Sequence, residues 1–380
     1  MTIVQYNFPT IILFGAGARK VLPEKLKEAG VSRPIVVTDE GVARLDIFAD
    51  VMATLEAADG IVPGAFSGIS GNPVESMVTA GVEAYRAHGA DSLVIMGGGA
   101  ALDVGKVIAL MVNHPGELFD YEDGKPEGRP VDQPIPYMVA LPTTAGTGSE
   151  VGRSSVISDD VTKAKKIVFD PQLLPPLVLA DPELTLGLPP AITAATGIDA
   201  LSHNVEAYLS KGFSPMCDGI ALEGIRLVAQ SLVRCVKEGS DVEARGKLMM
   251  ASLMGAVAFQ KGLGVTHSLA HPLSTVCNLH HGLAIGVMMG RAMRYNKAVV
   301  ADRMAVMAQA VGVEPTADAF IAWYEALAAE VGIPATLAEV GVKQEHLEDL
   351  VRYAVVDVCH QCNPRPVSEE DFRGLFGEAI

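Results

Sequence analysis

The chain has 380 residues, 49% of them hydrophobic, and a formal net charge of −16. That length exceeds what a single hydrophobic core supports, so two domains are expected. The acidic balance excludes a nucleic-acid binder, which needs clustered Lys and Arg to meet phosphates, and it offers nothing to an anionic membrane surface.

From the N-terminus, residues 1–14 are apolar but carry no basic n-region and no small-residue cleavage site, so they do not read as a signal peptide. The longer apolar stretches are rich in Ala and Gly and broken by charge or Pro, which fails the test for a spanning helix. Five cysteines, Cys217, Cys235, Cys277, Cys359 and Cys362, form no disulfide framework. Cys359 and Cys362 have CxxC spacing without a second pair, so ordinary thiols are expected, and a reducing cytoplasm is the expected compartment.

The first half alternates short β-rich runs with amphipathic stretches. Strands are expected at 11–14, 34–38, 61–66, 92–96 and 137–141, with helical stretches between them, for example at 18–29, 74–88 and 102–113. Runs lacking period-two alternation imply strands covered on both faces, hence a parallel sheet. Ser154–Ser158 and Lys165–Phe169 look like an added hairpin. Asp181-Pro182 and Leu188-Pro189-Pro190 then punctuate a switch, after which Ala/Leu/Met-rich stretches keep a helical period at 191–209, 216–236, 242–261, 283–295, 316–331 and 344–356. The expected architecture is an α/β domain with a parallel sheet over 1–187 and an all-helical domain over 188–380.

Three loops compete for a phosphate. Gly15-Ala16-Gly17 opens like a dinucleotide fingerprint, but Lys20 stands where close packing requires Gly or Ala, so a tight turn is expected there. Gly97-Gly98-Gly99 follows an expected strand and opens a helix, where bare amides and a helix N-terminus suit a pyrophosphate. Asp103 and Lys106 follow it, with a solvated first turn as the plain alternative. Pro142-Thr143-Thr144-Ala145-Gly146-Thr147-Gly148-Ser149-Glu150 packs small hydroxyl residues after a neighbouring strand. Asp39 ends the second strand, where a carboxylate accepts from ribose hydroxyls and repels a 2′-phosphate, favouring NAD over NADP.

In Thr196-Gly197-Ile198-Asp199-Ala200-Leu201-Ser202-His203-Asn204-Val205-Glu206, the residues Asp199, His203 and Glu206 fall on one helical face among apolar neighbours. A buried carboxylate and imidazole need partners, and a cation supplies both. His267 and His271 share a second face, and His280-His281-Gly282 follows. One carboxylate with imidazoles suits a divalent ion of the iron or zinc kind, whereas magnesium or calcium prefers oxygen. Spacing alone leaves open which histidines ligate.

With these motifs the chain resembles the iron-containing (group III) alcohol dehydrogenases of the dehydroquinate synthase-like superfamily along essentially its full length. The matching residues are Gly97-Gly98-Gly99 with Asp103 and Lys106, the 142–150 loop, Asp181-Pro182, Asp199 with His203 and Glu206, Gly262-Leu263-Gly264 with His267 and His271, His281-Gly282, and Asn363-Pro364-Arg365. The resemblance implies a nucleotide-binding α/β domain, a helical metal-binding domain and hydride transfer between NAD and a small alcohol or aldehyde. It implies that Asp199, His203, His267 and His281 bind Fe2+, with Zn2+ as the alternative. His267 and His271 then take the catalytic roles, His271 as a proton relay. Asp39, Asn72, Gly98, Gly99, Asp103, Thr143, Thr144 and Lys165 would line the cofactor site, and a homodimer or larger homo-oligomer is implied. Ala100 and Gly152 depart from the family's usual Ser and Thr, which touches cofactor affinity rather than the metal.

Residues 259–264 and 357–365 resemble the branch containing 4-hydroxybutyrate dehydrogenases. Lys261, Arg153 or His360 is then a candidate partner for an acidic substrate, with ordinary solvated bases as the alternative. Competing readings are a lyase or cyclase of the dehydroquinate synthase kind, a metal-free reductase of the maleylacetate kind, and a non-catalytic nucleotide binder. The missing cluster of basic residues argues against the first, and the four-residue ligand set against the other two.

Overall fold

The protein is described by a computed structural model covering residues 8, 10–162 and 164–380; the first seven residues of the 1–14 stretch, and Pro9, lie outside it. Two compact units emerge, Phe8–Thr144 with Ser149–Leu186, and Ala145–Gly148 with Gly187–Ile380. The 142–150 loop is thus shared, its Thr143-Thr144 end belonging to the first unit and its glycines to the second.

The first unit is built from β1 (Ile11–Phe14), α1 (Leu22–Glu28), β2 (Pro34–Asp39), α2 (Asp46–Glu56), β3 (Gly64–Ile69) and α3 (Glu75–His88). It continues through β4 (Ser92–Gly97), α4 (Gly99–Met111), β5 (Tyr137–Pro142), β6 (Ser154–Ser158), β7 (Lys165–Phe169) and β8 (Leu177–Ala180). Six strands form one sheet in the order β1-β8-β5-β4-β2-β3, every pairing parallel, while β6 and β7 make the antiparallel hairpin. Every residue of β4 and of β8 is buried, which is why neither shows alternation. Gly105 lets α4 lie close on β4, since a Cβ there would come within 2.6 Å of Ile95 Cγ2.

Two expectations shift. β3 starts at Gly64 rather than 61, and β8 appears where no strand was expected. β8 follows Pro175-Pro176, which reads as a breaker, yet its register is supplied by β1 and β5 on either side. Gly15-Ala16-Gly17 is a tight turn as expected: the amides of Gly17 and Arg19 donate to Asp181 at 3.1 and 3.2 Å, and the Arg19 guanidinium reaches the same carboxylate at 2.7 Å.

The helical unit comprises α5 (Pro190–Leu209), α6 (Pro215–Lys237), α7 (Val242–Ala258), α8 (Val265–Cys277), α9 (His281–Ala310), α10 (Ala317–Glu330), α11 (Leu347–Val356) and α12 (Glu369–Gly377). α5 is its axis and is buried almost all round from Thr193 onward. A helix in that position is normally apolar. Here it carries Asp199, His203, Asn204 and Glu206, so each of these needs a partner inside the fold.

Helix α8 lacks a capping side chain of its own. Its first amides are met from elsewhere: Val265 donates to Asn363 Oδ1 at 3.2 Å and Thr266 to Glu206 Oε1 at 2.6 Å. Gly264 makes this approach feasible, because a Cβ would lie 2.8 Å from Asn363 Oδ1 and 2.9 Å from Glu206 Oε1. The Gly-Leu-Gly and Asn-Pro-Arg motifs are therefore two halves of one tertiary cap. Arg365 completes it by donating to the Tyr295 carbonyl at 2.9 Å. Among the described residues, no single helix is long and apolar enough to cross a membrane.

Candidate metal centre and cofactor pocket

The helical unit brings imidazoles from three helices to one oxygen of Asp199. Asp199 and His203 stand one turn apart on α5, His267 sits on the first turn of α8 and His281 opens α9. Asp199 Oδ1 lies 3.6 Å from His203 Nε2, 3.9 Å from His267 Nε2 and 3.6 Å from His281 Nε2. A tetrahedral ion with bonds of about 2.0–2.1 Å separates its ligand atoms by roughly 3.4 Å, so these spacings need to tighten by only a few tenths of an ångström. Asp199, His203 and His267 are buried, and Asp199 Oδ1 and His267 Nε2 have no hydrogen-bond partner. Orphaned buried polar atoms each cost about 1–3 kcal/mol, and two converging on one point fit a cation that satisfies both.

Sequence spacing put Glu206 on the face of Asp199 and His203; the structure turns it to a different task. Its Oε2 meets His267 Nδ1 at 2.5 Å, while its Oε1 caps α8. A carboxylate on Nδ1 keeps the hydrogen there and leaves the Nε2 lone pair facing Asp199, the arrangement found behind metal-ligating histidines. Burial alone would raise the Glu206 carboxyl, but the His267 imidazole and the Thr266 donors outweigh it and hold it below the usual range. Burial pushes the His203 imidazole down, towards the neutral form a metal requires.

His271, one turn beyond His267, stacks on His281 with ring centroids 5.3 Å apart and is partly exposed. Its Nδ1 lies 2.7 Å from Asp357 Oδ2. Asp357 also accepts from the Ser268 hydroxyl at 2.6 Å and the Cys359 amide at 2.9 Å. Burial would raise its carboxyl, yet those donors hold it well below the ordinary carboxylate range. His271, Asp357 and Cys359 form a second group close enough to hold an ion. Their chemistry argues otherwise: the carboxylate is already saturated, and burial keeps the Cys359 thiol protonated. All five cysteines are free thiols.

In the α/β unit, Asp39, Glu40, Gly41, Arg44, Ile69, Ser70, Gly71, Gly98 and Ala100 line a pocket of about 340 Å³. The Gly97–Gly99 loop stays bare for steric reasons: a Cβ on Gly97 would lie 2.6 Å from that of Ala101, and one on Gly98 would lie 3.2 Å from Thr144 Cγ2. Gly99 opens α4, whose first-turn amides have no partner within the helix, and Gly98 and Ala100 on either side of it line the pocket. Asp39 stands at the end of β2 and accepts from the Val42 amide at 2.9 Å. Thr143 is buried and donates its amide to the Gly97 carbonyl at 3.0 Å. Asn72 is exposed just beyond the pocket-lining Gly71, and Lys165 is half-buried on the hairpin.

Two expectations are corrected. Asp103 and Lys106 are no solvated first turn: Lys106 is fully buried and donates to the Ser149 carbonyl and hydroxyl at 3.1 and 2.7 Å. Asp103 accepts from Ser149 Oγ at 2.5 Å and from the Val156 amide at 3.0 Å, so it shapes the loop entering the hairpin. Lys261 is no free base for a substrate, since its side chain is 3% exposed and its ammonium is held by Asp218 at 2.6 Å and the Tyr208 carbonyl at 3.0 Å. His360 rests edge-on against Phe372, its Nε2 3.2 Å from the Val355 carbonyl. Arg153 lies over the Phe169 ring at 5.5 Å, beside the hairpin.

A glycine-lined pocket on a parallel sheet and an Asp/His cluster in a following helical unit are the features expected of an enzyme that pairs a nucleotide with a metal. A family model described as iron-containing alcohol dehydrogenase matches residues 9–182, and one for the C-terminal part of the Fe-containing alcohol dehydrogenase family matches residues 193–380. The chain belongs to the iron-containing alcohol dehydrogenase family. It is 37% identical to a 4-hydroxybutyrate dehydrogenase of Cupriavidus necator, over 96% of each chain. A 1,3-propanediol oxidoreductase superposes with a TM-score of 0.95 at 33% identity, covering all of both chains. A sulfoacetaldehyde reductase from Bifidobacterium kashiwanohense, solved with NAD+, gives 0.92 at 30% identity over 100% of this chain and 99% of that one.

Proposed function

We propose that this dehydrogenase binds a divalent iron ion, with zinc as the alternative, through Asp199, His203, His267 and His281, and uses NAD to oxidise a small primary alcohol or reduce its aldehyde. The observation that carries this reading is the convergence of three imidazole nitrogens on the orphaned Asp199 Oδ1. When bound, the ion supplies Lewis acidity towards the alcohol oxygen and the nicotinamide supplies the hydride acceptor. The protein's part is to hold and orient. Glu206 keeps the His267 lone pair turned inward, and His271 takes the alcohol proton at Nε2 and passes it to solvent. The amides at the start of α4 meet the pyrophosphate, with Gly98, Gly99, Thr143 and Thr144 keeping the approach clear. Asp39 accepts from the adenosine ribose and repels a 2′-phosphate, which favours NAD over NADP.

The identity to a 4-hydroxybutyrate dehydrogenase supports an acidic member of this substrate class, 4-hydroxybutyrate with succinic semialdehyde. Lys261 is held by Asp218, which leaves Arg153 and His360 as the candidate partners for the substrate carboxylate. The protein is proposed to work in the cytoplasm as a homodimer or larger assembly. The test is to load purified protein anaerobically with Fe2+ or Zn2+ and follow NADH over a panel of alcohols and aldehydes. Metal-dependent turnover is expected. NADH formation that survives complete removal of the metal contradicts the metal reading, and equal efficiency on succinic semialdehyde and butyraldehyde removes the acidic one.

A further inference from the structure

A neutral imidazole accepts a proton at one ring nitrogen only when its hydrogen sits on the other. His271 acts as such an acceptor in the proposed function, and the role assigned here to its partner Asp357 rests on that reading. The Nδ1 of His271 faces Asp357 Oδ2 at 2.7 Å. The other oxygen of Asp357 is pinned by two donors, the Ser268 hydroxyl at 2.6 Å and the Cys359 amide at 2.9 Å. Ser268 is itself fixed: it is fully buried on α8, and its oxygen accepts from the His360 amide at 2.8 Å, so its own hydrogen points to Asp357. The carboxylate is therefore held at one end by the chain that follows α11 and by α8, and offers its remaining oxygen to the imidazole.

We propose that Asp357 is a positioning residue for proton transfer: it accepts the Nδ1 hydrogen of His271, which fixes Nε2 as the proton-accepting nitrogen and fixes the plane of the ring. The proton leaving the alcohol oxygen arrives at Nε2, the positive charge of the imidazolium is balanced by Asp357, and the same Nε2 hydrogen departs to solvent. α8 thus carries two carboxylate–imidazole couples one turn apart with different tasks. Glu206 sets His267 for a cation and Asp357 sets His271 for a proton.

The informative substitution is Asp357→Asn. The amide oxygen still accepts from Ser268 and Cys359, so the turn keeps both anchors. The amide NH2 then faces Nδ1, which must surrender its hydrogen, and Nε2 becomes the protonated nitrogen. In zinc-loaded protein, kcat is expected to fall by about 10²–10³ with KM changed by less than about threefold and bound zinc unchanged. Nitrogen-15 spectra of histidine-labelled, zinc-loaded protein are expected to show the His271 hydrogen on Nδ1 in the wild type and on Nε2 in the variant. The wild-type spectrum needs no mutant, and a hydrogen on Nε2 there overturns the assignment outright. A variant with normal kcat, or one slowed with its hydrogen still on Nδ1, also overturns it. His271→Ala separates the two levels. Full turnover without His271 contradicts the relay itself, whereas a slow His271→Ala beside a fast Asp357→Asn contradicts only the role of Asp357.

Discussion

The two proposed ligand sites, one in each unit, are built in opposite ways. In the α/β unit the candidate surface is largely backbone: Gly97, Gly98 and Gly99 carry no side chain, α4 begins there, and the pocket beside them is lined by the carboxylates Asp39 and Glu40. In the helical unit the candidate surface is side chain: Asp199, His203 and His267 are buried in an apolar interior, with Asp199 Oδ1 and His267 Nε2 lacking a hydrogen-bond partner, and His281 stands partly exposed beside them. A backbone site is defined by what is absent and is damaged by added bulk. A side-chain site is defined by what is present and by the partners that hold each ligand in one tautomer, so it is damaged by subtraction, even at a distance.

That contrast sets the order of expected effects. His267→Ala removes a ligand and the inward arm of the Glu206 couple at once. It should lose stoichiometric metal and reduce turnover by at least about 10³-fold, as measured by elemental analysis beside NADH kinetics. A mutant with wild-type metal content breaks the ligand assignment. Glu206→Gln touches no metal and should still weaken metal affinity by about 10–100-fold, read by competition with a chelator, because its amide cannot serve both His267 Nδ1 and the Thr266 amide as the carboxylate does. Gly98→Val is the opposite kind of lesion. It should raise the KM for NAD+ by about tenfold or more through collision with Thr144, leaving metal content untouched.

The smallest effect concerns Glu150, buried with Oε1 lacking a partner. Burial pushes its carboxyl from 4.5 up to about 7. Between those two values the folded state retains a proton that the unfolded chain has released, so this residue makes the fold less stable as pH rises through that window. Glu150→Gln should therefore match the wild type near pH 4.5 and exceed it above pH 7 by about 1–3 kcal/mol, seen as a difference between melting midpoints. Equal midpoints at pH 8 count against it.

The same contrast explains what the amino-acid sequence disclosed. The glycine loop and the α5 motif are local: strand, Gly97–Gly99 and helix lie consecutively, and Asp199 and His203 share a face by spacing alone. The parallel sheet followed from the unalternated runs of β2, β4 and β5. What escaped depends on contacts between distant segments. Glu206 lies on the same turn set as Asp199, yet its partner is 61 residues away on a helix whose position no local pattern encodes. Asp357 reaches His271 across 86 residues and carried no signal beyond its place beside the CxxC pair. Lys261 looked like an exposed base because a lysine is usually one; Asp218 and Tyr208 bury it. β8 was hidden by the prolines before it, since its hydrogen bonds come from β1 and β5.

The most direct test of the central claim is the coordination shell of the metal in anaerobically loaded protein, read by X-ray absorption. The account predicts only light scatterers at about 2.0–2.2 Å, with the outer-shell pattern of three imidazoles and a carboxylate oxygen. A sulfur scatterer at about 2.3 Å, which would implicate Cys359 or Cys362, or a shell without imidazole, would contradict it.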